Sequence, residues 1–312
     1  MKDERKKKPS TLLTHAGRAG AEHFGAVNTP VYHASTILFD SYEDIINNRG
    51  DYTYGRRGTP TTRALEEVIS GLEHADGTLL LPSGLAACTL TLLALSKQGD
   101  HVLVPDNAYE STRSFSQKIL PDFGIETEIY DPTVKDISPL IRDNTALIFL
   151  ESPGSQTFEL MDLQMIIKIA QENNILTAMD NTWASPLFCK PLDMGVDVSV
   201  QSATKYVSGH ADCLLGYVSA RKEVFTRLKK MYGLIGFCVG PDDVAMTLRG
   251  VRTLDVRLKR HQESALKIAK WLEKKEQVKH VHHPALESHP QHDFWKRDFS
   301  GAGGLFAIEL HP

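Results

Sequence analysis

The 312-residue sequence lacks the long apolar run that marks a membrane protein. No window approaches the roughly 18 consecutive apolar residues that a membrane-spanning helix needs. The basic start MKDERKKKPS has no apolar segment behind it, which predicts a solvated arm rather than a signal peptide or an anchor. A formal net charge of only −4 argues against a nucleic-acid partner. We therefore expect a soluble, cytoplasmic protein.

Cysteine is also scarce, and its spacing fits no metal or disulfide motif. The four cysteines contain no C-x-x-C pair and are Cys88, Cys189, Cys213 and Cys238. We interpret them as reduced thiols that mostly pack in the core. The segment HVHHPALESHPQH has no helical HExxH pattern and no cysteine partner, so a surface histidine loop is favoured over a metal site. Its histidines are His280, His282, His283, His289 and His292.

Nucleotide-binding signatures are missing as well. The sequence contains no G-x-x-x-x-G-K-[ST] and no G-x-G-x-x-G that opens a helix after a strand. GAGG at 301–304 precedes an apolar run and predicts a turn. A plain nucleotide-binding module is therefore disfavoured.

Apolar strands alternating with helices dominate the middle of the chain. The helix from Thr61 has apolar residues at i, i+3, i+4 and i+7, and GLAACTLTLLALS predicts a buried helix. The strand candidates are 78–82, 101–105, 146–151, 175–180 and 197–202. This alternation predicts an α/β fold with a mostly parallel sheet that is covered on both faces. Ligands of such sheets lie at the carboxyl ends of the strands.

The pattern changes along the chain in a way that predicts three parts. Residues 1–58 are rich in turn formers and aromatics and are interpreted as an N-terminal arm. Residues 59–251 carry the alternating elements of a large domain. One long helix begins near Arg252 and is followed by a closing strand in LFAIEL, so 252–312 predicts the start of a smaller α+β domain.

Several chemically useful residues stand where the predicted strands end. Asp180 ends ILTAMD, and Lys205 ends DVSVQSATK with no charged neighbour close by. Tyr109 follows HVLVP, and Ser83-Gly84 joins a strand to a helix whose first N–H groups form an anion site. A lysine that bonds covalently to a cofactor, an acid for a ring nitrogen, an aromatic plate and a phosphate cradle are what pyridoxal phosphate requires.

Each of these residues also has an ordinary structural explanation. A strand-end Asp180 is often a helix cap or turn former, and Tyr109 could be a packed aromatic. A solvated loop residue is the usual state of a lysine such as Lys205. Ser83-Gly84 could be a simple turn. Their common place at one sheet edge favours the cofactor interpretation.

Longer motifs then reveal a family resemblance that runs from about residue 15 to the last residue. The motifs are YGRRGTPTTRALE, LPSGLAA, NAYEST, FLESPGS, DNTWASP, SATKYVSGHAD, RGVRTLDVRL and HPALESHPQHDFWKRDFSGAGGLF. They resemble the Cys/Met-metabolism family of pyridoxal-phosphate-dependent enzymes. ESPGS is typical of its cystathionine β-lyase branch, because Ser155 stands where the γ-synthases and γ-lyases usually have asparagine.

The resemblance implies a fold type I subunit, a seven-stranded-type sheet and a homotetramer built from dimers that share active sites. It implies that Lys205 is the Schiff-base lysine and the acid/base. Asp180 would pair with the pyridine nitrogen, and Tyr109 would stack on the ring. The implied phosphate-binding residues are Gly84, Leu85, Ser202 and Thr204, with Tyr54 and Arg56 reaching in from the neighbouring subunit. Tyr109 and Tyr54 are also expected, with Lys205, among the catalytic residues.

The resemblance further implies a carbon–sulfur lyase of methionine biosynthesis and trans-sulfuration. The expected reaction is β-elimination of cystathionine to homocysteine, pyruvate and ammonia, without a metal. A cystathionine γ-synthase or γ-lyase is the alternative that shares every cofactor residue. The family continues for roughly another quarter of its chain, including an arginine that grips the substrate carboxylate. A weak or inactive cofactor-binding protein is therefore a further expectation for 312 residues alone.

Overall fold

A seven-stranded sheet forms the centre of the protein in the computed structural model, which describes residues 7–312. Its strands are β1 (Gly77–Leu81), β2 (His101–Pro105), β3 (Glu126–Tyr130), β4 (Thr145–Glu151), β5 (Leu176–Asp180), β6 (Val198–Gln201) and β7 (Gly216–Ala220). Their order across the sheet is β1-β7-β6-β5-β4-β2-β3, and β7 runs in the direction opposite to the other six. Six strands therefore share one direction, which confirms the predicted mostly parallel sheet.

Twelve α-helices are found in the described residues. They are α1 (Pro9–His15), α2 (Tyr42–Ile46), α3 (Pro60–Glu73), α4 (Gly84–Leu95), α5 (Glu110–Lys118), α6 (Leu163–Glu172), α7 (Ser185–Phe188), α8 (Pro191–Met194), α9 (Lys222–Ile235), α10 (Pro241–Val251), α11 (Leu254–Leu272) and α12 (His292–Asp298). Thr59, Ser83 and Asp162 cap α3, α4 and α6, because each side chain accepts an N–H from three residues further on. These caps fix where the helices begin relative to the preceding strands and loops.

Both faces of the sheet are covered, as the continuous apolar strands predict. On β4, Leu147 and Phe149 face the layer that contains α4 and α9, whereas Ile148 and Leu150 face the layer that contains α6. Leu80 and Tyr217 pack on that second face against α3, α10 and α11. All six of these side chains are buried. The sheet is therefore the rigid middle layer from which the loops at its edges project.

The sequence patterns missed two strands of this sheet. β3 is an edge strand in which only Tyr130 is buried, so its charged residues carry no apolar pattern. β7 is fully buried but consists of GYVSA, whose small residues give little strand signal. The predicted closing strand is present as β9 (Ala307–Leu310), which pairs antiparallel with β8 (Val278–His282).

The interpretation of the histidine-rich segment as a surface loop was wrong for two of its residues. His283 and His289 are 0% and 4% exposed. Burial lowers the pKa of each to about 4, so both are neutral core residues near neutral pH. His280, His282 and His292 are half-exposed, but the first two lie on strand β8 and the third begins α12, so the loop assignment was wrong for these residues as well.

Four further expectations concern the chain as a whole. No helix within residues 7–312 is long and apolar enough to cross a membrane. Nor do these residues bring together three His, Cys, Asp or Glu side chains that could hold a metal ion. Residues 1–6 of the expected solvated arm lie outside the described residues. The division of the chain after residues 58 and 251 stays a prediction.

A buried carboxyl at the end of α3 is an unusual feature of the second core layer. Glu73 is 0% exposed, and the Tyr217 hydroxyl donates a hydrogen bond to its Oε1 at 2.8 Å. Burial raises the pKa of Glu73 from 4.5 to about 7, against the smaller opposing effect of that hydrogen bond. The folded protein therefore holds a proton that the unfolded chain has already released at mildly acidic pH.

We predict that Glu73→Gln changes the pH dependence of stability. Because the pKa is raised on folding, the original protein loses stability as pH rises from 4.5 through 7, and the glutamine variant does not. Unfolding by urea at pH 5 and pH 8 should show the variant gaining up to about 3 kcal/mol relative to the original at the higher pH. The exposed Glu223→Gln is the matched control. An unchanged difference at the two pH values would contradict an elevated pKa.

Candidate active site

The candidate residues lie at the edge of the sheet where the six parallel strands end. Asp180 is the last residue of β5, and Lys205 lies in the turns after β6. Tyr109 follows β2, and Gly84 begins the helix after β1. The structure therefore brings these residues to one edge, as the strand assignments predict.

A cavity of about 1240 Å³ opens at this edge. Seven of the nine predicted site residues line it, namely Gly84, Leu85, Tyr109, Asp180, Ser202, Thr204 and Lys205. The aromatic side chains of Trp183, Tyr206 and His261 line it as well. The volume is that of a site for a cofactor together with a small substrate.

Tyr54 and Arg56 are not among the residues that line the cavity. Arg56 Nη1 donates to the carbonyl of Gly233 at 3.3 Å, and the guanidinium carbon lies 5.9 Å from the Tyr54 ring centre. Tyr54 is 43% exposed. Within one subunit this pair therefore contributes nothing to the cavity, and its expected role depends on a neighbouring copy.

The start of α4 forms an anion cradle. The Ser83 hydroxyl accepts the N–H of Ala86 at 3.1 Å, which leaves the N–H groups of Gly84 and Leu85 without an acceptor among the described residues. A Cβ added to Gly84 would stand 2.6 Å from the side chain of Ser202. Glycine is thus needed here for the close approach of the loop that carries Ser202. N–H groups at the start of a helix and a hydroxyl form a phosphate-binding arrangement.

Thr204 is less available to bind a phosphate than the resemblance implies, because its hydroxyl is hydrogen-bonded to Leu215. Its Oγ1 donates to the carbonyl of Leu215 at 3.2 Å and accepts the N–H of Leu215 at 3.0 Å. A hydroxyl has a single proton, so this one is already engaged within the protein. The backbone N–H of Ser202 donates to Thr182 Oγ1 at 2.8 Å. The hydroxyl of Ser202 is therefore better placed than that of Thr204 to bind an anion.

Asp180 is a carboxyl surrounded by neutral donors. Its Oδ1 accepts the N–H of Thr182 at 3.0 Å, and its Oδ2 accepts the thiol of Cys88 at 3.7 Å. Burial raises the pKa of Asp180, and the donors and the Lys205 charge oppose that rise. Among the described residues, no cation forms an ion pair with this carboxyl. A protonated ring nitrogen could be that cation.

Tyr109 also lines the cavity. It precedes α5, and its backbone N–H donates to Glu151 Oε2 at 2.9 Å. The side chain is 49% exposed. The backbone is thereby fixed while the ring keeps a free face, which a planar ring can stack on.

The expectation that Lys205 ends a buried strand was wrong. β6 ends at Gln201, and Lys205 is an exposed residue in the turns beyond it. The chain leaves the ladder because the N–H of Ser202 bonds to Thr182, and the N–H of Lys205 bonds back to the carbonyl of Ser202 at 3.1 Å. This turn directs Lys205 to the cavity, which it lines.

Glu151 was missed as a site residue although its motif ESPGS was recognised. It is the last residue of β4, is 6% exposed and pairs in register with Asp180 on β5. Cys88 was assigned to core packing and also contacts Asp180. Neither residue has a sequence pattern of its own, because each reaches Asp180 only through the packing of α4 and β4 around β5.

Together these groups fit pyridoxal phosphate. The N-terminus of α4 and Ser202 can hold a phosphate, and Asp180 can hold a protonated ring nitrogen. Tyr109 offers a face for the ring, and the Lys205 amine can bond to its carbonyl carbon. The fold and the site define an α/β pyridoxal-phosphate enzyme of fold type I.

Comparison with known proteins assigns the family. The sequence profile of the Cys/Met metabolism PLP-dependent enzymes matches residues 10–312. The chain belongs to this family, which confirms the predicted resemblance and the predicted cofactor.

Individual relatives cover almost all of this chain. A putative cystathionine beta-lyase of Rhizobium johnstonii is 49% identical over 96% of this chain and 76% of its own length. An L-alanine/L-glutamate racemase of Wolbachia pipientis wMel is 44% identical over 97% of this chain and 78% of its own. A crystal structure of cystathionine gamma synthase from Xanthomonas oryzae pv. oryzae, in complex with aminoacrylate and cysteine, superposes with a TM-score of 0.93. It is 33% identical and covers 98% of this chain and 79% of that one.

Proposed function

We propose that this protein catalyses β-elimination of cystathionine and releases homocysteine, pyruvate and ammonia. The observation that carries the proposal is the exposed amine of Lys205 in a cavity with Asp180 and Tyr109. The 49% identity to a relative named as a putative cystathionine beta-lyase supports this substrate. The ESPGS motif, in which Ser155 replaces the asparagine usual in γ-synthases and γ-lyases, supports the same branch.

The proposed roles derive from the positions of the side chains. Pyridoxal phosphate, when bound, supplies an electron sink that makes the Cα–H bond of an amino acid acidic. Lys205 takes the proton from Cα and delivers a proton to the departing sulfur. Tyr109 lines the same cavity and would stack on the cofactor ring. Asp180 keeps its negative charge at the base of the site. Water then converts the three-carbon remainder to pyruvate and ammonia.

Racemisation of an amino acid is the second candidate function. It is favoured by the 44% identity to the alanine/glutamate racemase, which extends over 97% of this chain. Both reactions begin when a base removes the Cα proton. They differ in the next step, because a racemase returns a proton to the opposite face of Cα and breaks no C–S bond.

We also propose an oligomeric state and a cellular role for the enzyme. Apolar side chains of the N-terminal part are exposed in the single chain, among them Phe24, Leu38, Tyr42 and Ile46. Their burial against other copies supports the homotetramer of site-sharing dimers. Tyr54 and Arg56 then complete the partner's phosphate site, and Tyr54 assists its catalysis. We further propose that the enzyme acts in the cytoplasm in methionine biosynthesis, which fits cystathionine as the proposed substrate and homocysteine as the proposed product.

The products distinguish the candidate functions. Incubation of the protein with L-cystathionine should release pyruvate and homocysteine in equal amounts, measured by chromatography with mass detection. Lys205→Ala should lower the rate by at least about 10³-fold, because it removes the proton-transfer group. Cysteine with 2-oxobutyrate would indicate a γ-lyase instead. Conversion of L-alanine to D-alanine without pyruvate from cystathionine would contradict the lyase proposal and support the racemase.

Mixing subunits tests the shared site. Arg56→Ala and Lys205→Ala subunits should each be weak alone, whereas dimers exchanged between them contain one site with both native residues. Random exchange should therefore restore about a quarter of the original activity. The exposed Arg57→Ala is the control and should stay active by itself. Absence of recovery after verified exchange would show that Arg56 does not act across a subunit boundary.

A further inference from the structure

Two carboxyl groups stand side by side at the base of the site, and the proposed mechanism uses only one of them. Glu151 and Asp180 are paired residues at the ends of the neighbouring strands β4 and β5. Because paired residues of adjacent strands project to the same face, the two carboxyls lie next to each other. Glu151 is buried, and it has no part in the reaction described above.

The donors to this pair are all neutral. Glu151 Oε2 accepts the N–H of Tyr109 at 2.9 Å, and Glu151 Oε1 and the hydroxyl of Ser155 are hydrogen-bonded to each other. Asp180 accepts the N–H of Thr182 and the thiol of Cys88. Glu151 is buried and Asp180 is half-buried, so two adjacent charges with only neutral donors would be costly there, and one of the carboxyls retains a proton.

The surroundings decide which carboxyl that is. The titratable groups that face Glu151 are Asp180 on β5, Cys88 on α4 and Tyr109 before α5. Lys205, in the turns after β6, favours the charged form of Asp180. Burial and the Asp180 charge raise the pKa of Glu151 well above its usual range. Burial raises the pKa of the Cys88 thiol and keeps it protonated, so it acts as a donor only.

We propose that Glu151 is a neutral positioning residue that fixes Tyr109 and the Ser155 loop and leaves Asp180 as the single negative charge at the base of the site. A protonated Glu151 still accepts the N–H of Tyr109 through one oxygen. Its other oxygen shares a hydrogen bond with Ser155, in which the carboxyl proton is the donor. The cofactor ring would thus meet one anion and a fixed aromatic plate. This inference rests on the cofactor site of the proposed function and not on the choice of substrate.

Two substitutions separate neutral positioning from a charged role. Glu151→Gln keeps the shape and the hydrogen bonds without a charge, and Glu151→Ala removes the acceptor. Equilibrium dialysis of the holoprotein against graded pyridoxal phosphate at pH 7 measures the retained cofactor. We expect the glutamine variant to bind within about threefold of the original and the alanine variant at least about tenfold more weakly. A glutamine variant as weak as Asp180→Asn would overturn the proposal, and so would an alanine variant that binds as the original does.

The proton itself can be observed by infrared spectroscopy. The difference spectrum between the original holoprotein and Glu151→Gln at pH 7 should contain the C=O stretching band of one protonated carboxylic acid. A purely structural role for an ionised Glu151 would give carboxylate bands only, and that result would overturn the proposal.

Should Glu151→Ala fail to fold, Ser155→Ala takes its place in the dialysis experiment and should weaken cofactor binding by about threefold or more. An unchanged affinity would refute the positioning role. Neither readout involves cystathionine, so failure here is distinct from failure of the lyase proposal.

Discussion

The common direction of six strands is the constraint on which the site depends. Because β1, β2, β4, β5 and β6 all end at one edge, short loops suffice to bring Gly84, Tyr109, Asp180 and Lys205 around one cavity. The antiparallel β7 preserves this arrangement, since its first residue, Gly216, returns the chain to the same edge. A Cβ on Gly216 would stand 2.2 Å from the carbonyl oxygen of Ser83, so the loops meet there at backbone contact.

Charge at the base of the site results from the same packing. α4 brings Cys88 to Asp180, and the β4–β5 pairing brings Glu151 there. The cavity therefore combines acidic groups at the ends of β4 and β5 with an anion cradle at the start of α4. We propose that a cofactor with a cationic ring nitrogen and an anionic phosphate would bind with its nitrogen at these acidic groups and its phosphate at the cradle, in the cavity that Lys205 lines.

Much of this arrangement could be predicted from local sequence. The parts that could not be predicted have one physical cause in common. Continuous apolar runs located five strands, and glycine at position 84 marked the anion cradle, because both signals are local. The strand β7 and the role of Glu151 depend on which strands become neighbours, and the sequence alone does not reveal that order. Burial of His283 and engagement of the Thr204 hydroxyl by Leu215 likewise result from contacts distant in the chain. The roles of the nine site residues remain predictions.

The central claim is that Lys205 is the residue to which the cofactor is covalently attached, and peptide mapping tests it most directly. Reduction of the holoprotein with borohydride would fix the cofactor to its lysine, and mass spectrometry of the proteolytic peptides would identify that lysine. The account predicts the whole label on the peptide that contains Lys205, and no stable label in Lys205→Ala. Label on another lysine, such as the half-buried Lys190, would contradict the assignment of the site.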